Sequence, residues 1–111
     1  PKSIHFSPDG SRLYMLGQSS TFVYQYDLDI PWDISDPTKV TYINNFSVGA
    51  VDAGSNGLTF SIDGSRMYIV GINSNSVHQF DLSTVWDIST ANSAPSGSFS
   101  VLTEESIANM I

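Results

Sequence analysis

Two loop segments of the sequence contain most of the side chains that could bind a polar ligand or a cation. Their carboxylate, amide and hydroxyl groups belong to Asp52, Ser55, Asn56, Glu104, Glu105 and Asn109. Carboxylate and amide oxygens are the ligands that hard cations such as Ca²⁺ prefer. The sequence therefore predicts a polar ligand site at these loops and no cofactor, with a divalent cation such as calcium as the alternative. Ordinary solvated loops are the competing interpretation.

A second candidate site is a Trp-Asp-Ile-Ser segment that occurs twice, beginning at Trp32 and at Trp86. An exposed indole can cover the face of a sugar ring, which would make each tryptophan a stacking surface for a glycan. The structural alternative is that each indole packs its loop onto a sheet while Asp33 and Asp87 cap local turns. The structural interpretation is favoured, and both tryptophans are kept as ligand-binding candidates.

The sequence contains no recognisable catalytic constellation. His5 and His78 do not occupy equivalent positions, and neither lies in a metal-binding or triad pattern. There is no nucleophile elbow, phosphate-binding glycine loop or HExxH motif, and there is no cysteine. We therefore predict no catalytic residue and no metal ligand set, and an enzyme is the less favoured interpretation.

Charge excludes two classes of partner. The formal net charge is −7, and the four basic residues are scattered along the chain. Binding to nucleic-acid phosphates or to anionic lipid requires clustered Lys and Arg, so neither partner is predicted. No apolar run is long enough to span a membrane. The composition predicts no cellular location.

One internal repeat organises the whole chain. Residues 4–35 align without a gap on residues 58–89, and more than half of the aligned positions are identical. We therefore predict two copies of one structural unit, residues 1–56 and residues 57–111, the second of which ends in a tail leading to the next copy.

Each copy is predicted to form four antiparallel strands. In the first copy they cover residues 3–7, 12–17, 21–28 and 40–48, and in the second residues 57–61, 66–71, 75–82 and 97–101. An Asp-Gly turn ending at Gly10 or Gly64 joins the first two strands as a tight hairpin. The second strand of each copy is apolar on both faces, which indicates that it is covered on both sides.

The hairpin residues point to a family. Residues 6–13, Phe-Ser-Pro-Asp-Gly-Ser-Arg-Leu, resemble the hairpin of many bacterial β-propellers of the WD40-like, TolB-like and lactonase-like groups. Tyr26-Asp27 and Phe80-Asp81 lie where WD40 repeats have their Trp-Asp dipeptide, whereas the Gly-His pair of WD40 repeats is missing. The resemblance implies an all-β fold of two propeller blades in tandem. It does not imply an activity, because propellers host enzymes, lectins and docking platforms.

Two blades leave one apolar face uncovered at each end, and soluble proteins rarely expose such patches. Head-to-tail association would cover both faces and would close into a ring if the rotation fits. Since propellers have about four to eight blades, we predict six blades from a homotrimer, with eight from four chains as the alternative. The same two blades could instead belong to a longer propeller chain, and an eight-stranded sandwich is the less favoured fold.

Three functions remain open at this point. The favoured one is a non-catalytic β-propeller module that binds a protein or a glycan. The first alternative, implied by the resemblance, is a metal-dependent lactonase-like hydrolase that uses acidic loops at the mouth of the propeller channel. The second alternative is a purely structural repeat of a larger surface or virion protein.

Overall fold

The computed structural model of the protein describes residues 1–17 and 21–101. These residues form two four-stranded antiparallel sheets, in each of which the strands lie in chain order. Sheet 1 consists of β1 (Ser3–Phe6), β2 (Arg12–Leu16), β3 (Phe22–Leu28) and β4 (Val40–Ser47). Sheet 2 consists of β5 (Ser55–Phe60), β6 (Arg66–Gly71), β7 (Ser76–Asp81) and β8 (Gly97–Ser100). The predicted all-β class and its two four-stranded antiparallel units are confirmed, while ring closure and the number of blades stay predictions.

The strand bounds follow the sequence-based ones closely. Most strand ends lie within one residue of the predicted position, and β6 has the predicted bounds. The exception is β5, which begins at Ser55 although the pattern predicted a start at residue 57. A register shift between Ser55 and Gly57 extends the ladder to Gly71 of β6. A bulge of this kind adds a residue to one strand and leaves no mark in the apolar alternation.

The β1–β2 and β5–β6 hairpins are built in the same way in both sheets. Gly10 and Gly64 have φ of +75° and +73°, the left-handed region that favours glycine. Asp9 Oδ1 accepts hydrogen bonds from the amide and the hydroxyl of Ser11. Asp63 accepts the same pair of bonds from Ser65. The turn is thus closed by its own side chains, as the repeated Asp-Gly-Ser sequence indicates.

These turn carboxylates make the fold sensitive to acid. Hydrogen bonds from the backbone and side chain of Ser11 lower the pKa of Asp9 to about 2, and those from Ser65 lower the pKa of Asp63 to about 2. A carboxylate whose folded-state pKa lies below its unfolded value of about 3.9 adds stability above that value, and this stability is lost as the pH falls towards the folded pKa. We expect the urea midpoint to fall as the pH is lowered from about 4 to about 2. In an Asp9→Asn/Asp63→Asn double variant, which keeps an acceptor oxygen but cannot titrate, the midpoint should fall less steeply. An unchanged slope would show that other carboxylates control acid stability.

The two sheets pack face to face around one apolar core. Its fully buried side chains include Tyr14 and Leu16 of β2, and Met67 and Ile69 of β6. Phe80 of β7 completes the contact with its ring edge-on to Phe46, at 5.5 Å between centroids. The alternate residues of β2 and β6 are half-buried, except Arg66, which is exposed. Within the pair, each second strand is therefore covered on one side only.

Candidate functional site

Trp86 lies in the connection between β7 and β8 and folds back onto the β5–β6 hairpin. Its φ is +62°, and its amide donates a hydrogen bond of 2.9 Å to the carbonyl of Gly64. A Cβ on Gly64 would lie 2.3 Å from the indole, so glycine is the residue that leaves room for the ring. Trp32 and Gly10 repeat this arrangement in sheet 1, with φ +65° and the same 2.9 Å bond. Each indole therefore has a structural role on its own hairpin.

The two tryptophans differ in whether a second sheet covers the side of the indole that faces away from its own hairpin. Trp86 is half-buried between the sheets, with its ring centroid 6.2 Å from that of Tyr14 in sheet 1 and 5.5 Å from that of Phe60 in sheet 2. Its carbonyl accepts hydrogen bonds from the Tyr14 hydroxyl at 2.5 Å and from Arg12 at 3.0 Å. Burial raises the pKa of Tyr14, which keeps this phenol protonated as a donor. Trp32 is 59% exposed, because no sheet lies beyond it in the described chain. A glycan-stacking role for either indole stays a prediction.

The loop between β4 and β5 is fixed to sheet 2 by Asp52. This side chain is 3% exposed, and its Oδ1 accepts a 2.9 Å bond from the amide of Gly54. Its Oδ2 accepts bonds from the amide and the hydroxyl of Ser74, at 3.1 and 2.5 Å. Burial alone would raise the pKa of Asp52, but the hydrogen bonds from Ser74 and Gly54 outweigh it, so the pKa is lowered. Asp52 is therefore an ionised carboxylate enclosed by donors.

The same network continues into the sheet through a buried histidine. His78 of β7 is 5% exposed, with its Nε2 3.0 Å from Ser74 Oγ and its Nδ1 2.8 Å from Ser98 Oγ. Since Ser74 directs its proton to Asp52, Nε2 donates to Ser74 Oγ, and in a neutral ring Nδ1 would then accept from Ser98. We call Asp52, Ser74, His78 and Ser98 the Asp52 cluster. It joins the β4–β5 loop, the β6–β7 turn and strands β7 and β8.

The Asp52 cluster has the residue types of a hydrolase triad in a different order. In a Ser-His-Asp triad the histidine accepts the serine proton and the carboxylate binds the far ring nitrogen. Here the carboxylate itself accepts the serine proton, and a second serine occupies the far nitrogen. This arrangement fixes a loop, and it does not direct a basic nitrogen at the Ser74 proton.

Sequence analysis missed most of this cluster. It assigned His78 to a strand, which is correct, but singled out neither Ser74 nor Ser98. The repeat gives little signal for the cluster: Ser74 matches Ser20, but Tyr24 takes the place of His78 in sheet 1. Gly71 was the available signal, because a glycine in an apolar strand can mark the close approach of another chain segment. A Cβ there would lie 1.9 Å from Asp52 Oδ2.

The other predicted ligand residues fall into two groups. Ser55 is buried, with its hydroxyl donating to the carbonyl of Asp52 at 2.7 Å, and Asn56 is half-buried in β5. Glu104, Glu105 and Asn109 lie outside the described residues. In the part of the chain that the structure describes, no three His, Asp or Glu side chains converge as a metal site would require. The ligand-binding role of this set stays a prediction.

Comparison with known proteins adds a likeness of fold. No protein-family model matches the chain, and no curated protein matches it. Among solved structures, it is similar to a putative 6-phosphogluconolactonase from Bacteroides uniformis, with a TM-score of 0.60 and 18% identity over 89% of this chain and 26% of that one. It is also similar to a functionally unknown protein from Desulfotomaculum acetoxidans, with a TM-score of 0.58 and 17% identity over 88% of this chain and 26% of that one.

These similarities to solved structures show the fold class of the chain and do not show an activity. The described chain is an all-β pair of four-stranded sheets that matches part of larger proteins, and it spans 26% of the length of each. At this identity the shared property is the fold, since one fold hosts many functions. In the described residues, no helix has the length and apolar character to cross a membrane.

Proposed function

We propose that this chain is a pair of β-propeller blades that acts as a non-catalytic binding module for a protein or a glycan. The observation that supports this most directly is the closed hydrogen bonding of the Asp52 cluster. Ser74 gives its proton to Asp52, and both ring nitrogens of His78 are occupied. A nucleophile needs a neighbouring base strong enough to take its proton, and the base beside Ser74 is Asp52, a carboxylate whose lowered pKa makes it a weak one.

Binding would use the surface that the Asp52 cluster holds in place. The turn between β6 and β7 exposes Ile72 and Asn73, and the adjoining β4–β5 loop exposes Ala53. Gly54 lies directly beneath this turn, because a Cβ there would be 2.7 Å from Ile72 and 2.8 Å from Asn73. Loops anchored on a rigid sheet are the usual place for recognition. An apolar side chain beside an amide suits a protein or sugar surface.

Hydrolysis assays on a lactone and an ester test this proposal, together with protein and glycan arrays. We expect turnover no higher than in buffer, and no change when Ser74 is replaced by alanine. Binding on an array should weaken in an Asn73→Ala variant. An Ile62→Ala variant is the control, because Ile62 lies on the opposite turn and is 90% exposed. Turnover that falls at least about tenfold in Ser74→Ala would overturn the proposal.

The second candidate is a metal-dependent hydrolase, favoured by the likeness to the Bacteroides uniformis structure. It requires a divalent cation, with the acidic loops predicted from the sequence as ligands. Elemental analysis of the purified protein would then find a bound cation, and a chelator would abolish activity. Absence of metal, together with an unchanged melting temperature on addition of calcium, would exclude this candidate.

A further inference from the structure

Hydrogen bonds form part of the contact between the two sheets, and the residues that make them recur at equivalent positions of the repeat. On one side, Arg12 and Tyr14 of β2 donate to the carbonyl of Trp86. Further along, the amide of Ile88 donates a buried 3.0 Å bond to Oε1 of Gln25 in β3. These bonds position the β7–β8 connection of sheet 2 on the face of sheet 1. The bond to Gln25 is buried in the core, which strengthens it, whereas the two bonds to Trp86 are part-buried.

Both halves of this contact occur a second time on the outside of the pair. The sheet 2 outer face repeats the half supplied by sheet 1, and it consists of Arg66, Tyr68, Val70, Val77, Gln79 and Phe99. The sheet 1 outer face repeats the half supplied by sheet 2, and it consists of Ile4, Leu13, Met15, Tyr26, Trp32 and Ile34. Each outer face therefore has the residue types that its counterpart uses inside the pair.

Equivalent residues differ in exposure according to whether a sheet covers them. Ile34 is 58% exposed, while Ile88 at the same repeat position is 0% exposed. Ile4 is 60% exposed and its counterpart Leu58 is 8% exposed. Phe99 on the sheet 2 outer face is 62% exposed. Covering these side chains releases apolar surface from water, which is the main driving force for association.

The polar groups of the sheet 2 outer face are already arranged as in the internal contact. Arg12 is held by Asp27 with 3.4 Å between Nε and Oδ1, and Arg66 is held by Asp81 at the same distance. Tyr68 lies opposite Gln79 in the β6–β7 ladder, as Tyr14 lies opposite Gln25 in the β2–β3 ladder. The donors and the acceptor therefore need little rearrangement to bind a second partner of the same shape.

We propose that a second copy of this chain docks head to tail, with the sheet 2 outer face of one copy on the sheet 1 outer face of the next. Tyr68 and Arg66 then donate to the carbonyl of Trp32, and the amide of Ile34 donates to Oε1 of Gln79. The proposal rests on the propeller architecture put forward above, and it is independent of whether the module binds or catalyses. Because the contact is heterologous, repeating it closes a ring when the rotation between copies fits, and three copies give the six blades predicted from the sequence.

One bond of the internal contact is not repeated. Asn44 of β4 donates to Asp87 at 3.3 Å, but the matching position in sheet 2 is Gly97. The contact between copies therefore has one polar bond fewer than the contact within a copy. We expect association between copies to be reversible on dilution, while the two sheets of one copy stay together.

Light scattering after size exclusion tests the docking. At high protein concentration we expect the wild-type chain to have the mass of three copies, decreasing to one on dilution. A Phe99→Asp variant should remain a single copy with an unchanged circular dichroism spectrum. Its association should be weaker by at least about tenfold, because docking would bury an unpaired carboxylate. Ala53→Asp adds the same charge in the exposed β4–β5 loop, which belongs to neither outer face, and it should behave as the wild type does.

Mixing two variants tests the direction of docking. Ile34→Asp blocks the sheet 1 outer face, whereas Phe99→Asp blocks the sheet 2 outer face. Each should be a single copy alone, and an equimolar mixture should form a dimer that grows no further. Three results would overturn the proposal: a wild-type chain that stays a single copy at high concentration, Phe99→Asp that associates as the wild type does, or a mixture that forms no dimer. The first would instead assign these faces to other blades of a longer polypeptide.

Discussion

Replacing Gly71 by alanine is expected to lower the free energy of unfolding by about 3 kcal/mol. A Cβ at this position would lie 1.9 Å from Oδ2 of Asp52 and 2.1 Å from its Cγ. The carboxylate would have to leave the pocket in which it accepts the amide and hydroxyl protons of Ser74. Asp52 is buried, so loss of the hydrogen bonds that satisfy its carboxylate is costly, and the β4–β5 loop would lose its attachment to sheet 2. Urea unfolding measures the change.

Gly97→Ala is the matched control for this variant. A Cβ on Gly97 would meet nothing within 4 Å, so its effect should stay within about 0.5 kcal/mol. A double-mutant cycle with Asp52→Ala then identifies the cause, because removing the carboxylate removes the clash. Gly71→Ala should cost less in the Asp52→Ala background than in the wild type. If the two effects on the free energy of unfolding simply add, Gly71→Ala destabilises the protein by a cause other than the clash with Asp52.

Replacing Trp86 by alanine is expected to cost about 3 kcal/mol, the lower end of the range for core aromatic side chains, because Trp86 is half-buried. Its indole packs against Tyr14 of sheet 1 and Phe60 of sheet 2, and it covers Gly64. The variant should lose contacts within its own sheet and between the sheets. Thermal and urea unfolding of dilute protein give the size of the loss.

Trp32→Ala makes the same chemical change at the same repeat position. Trp32 keeps the contact with its own hairpin and lies 5.0 Å from Phe6 between ring centroids, but it is 59% exposed. In dilute protein we expect this variant to lose less than half of what Trp86→Ala loses. Equal losses would mean that the contact between the sheets adds little to the role of Trp86.

The fold was largely predictable because the patterns that indicate it occur in both copies of the repeat. The Asp-Gly-Ser turns, the apolar second strands and the strand order all follow from local patterns that occur in both copies. Gly10 and Gly64 have the positive φ that the turn sequence requires. The bulge between Ser55 and Gly57 was not predictable, since it depends on how the preceding loop enters the sheet.

The candidate site was predictable only in part, and the reasons are physical. Asp52 was singled out as a loop carboxylate, but two of its donors belong to Ser74 in a distant turn, and two are backbone amides, of Gly54 and Ser74. The tryptophans were found by their repetition, yet identical residues at equivalent positions differ in exposure according to whether a sheet lies beside them. Gln25 and Gln79 were recognised as equivalent, but the acceptor role of Gln25 depends on the amide of Ile88, which a side-chain pattern does not encode.

Hydrogen exchange at two backbone amides tests most directly the claim that one kind of contact joins sheet 1 to sheet 2 and one copy to the next. The amide of Ile88 bonds to Gln25 within the pair, and Ile34 occupies the equivalent position on the sheet 1 outer face. In dilute protein we expect slow exchange at Ile88 and fast exchange at Ile34. Raising the concentration should slow exchange at Ile34 and leave Ile88 unchanged. Equal exchange rates in dilute protein, or an Ile34 rate that does not respond to association, would show that the two contacts are not of one kind.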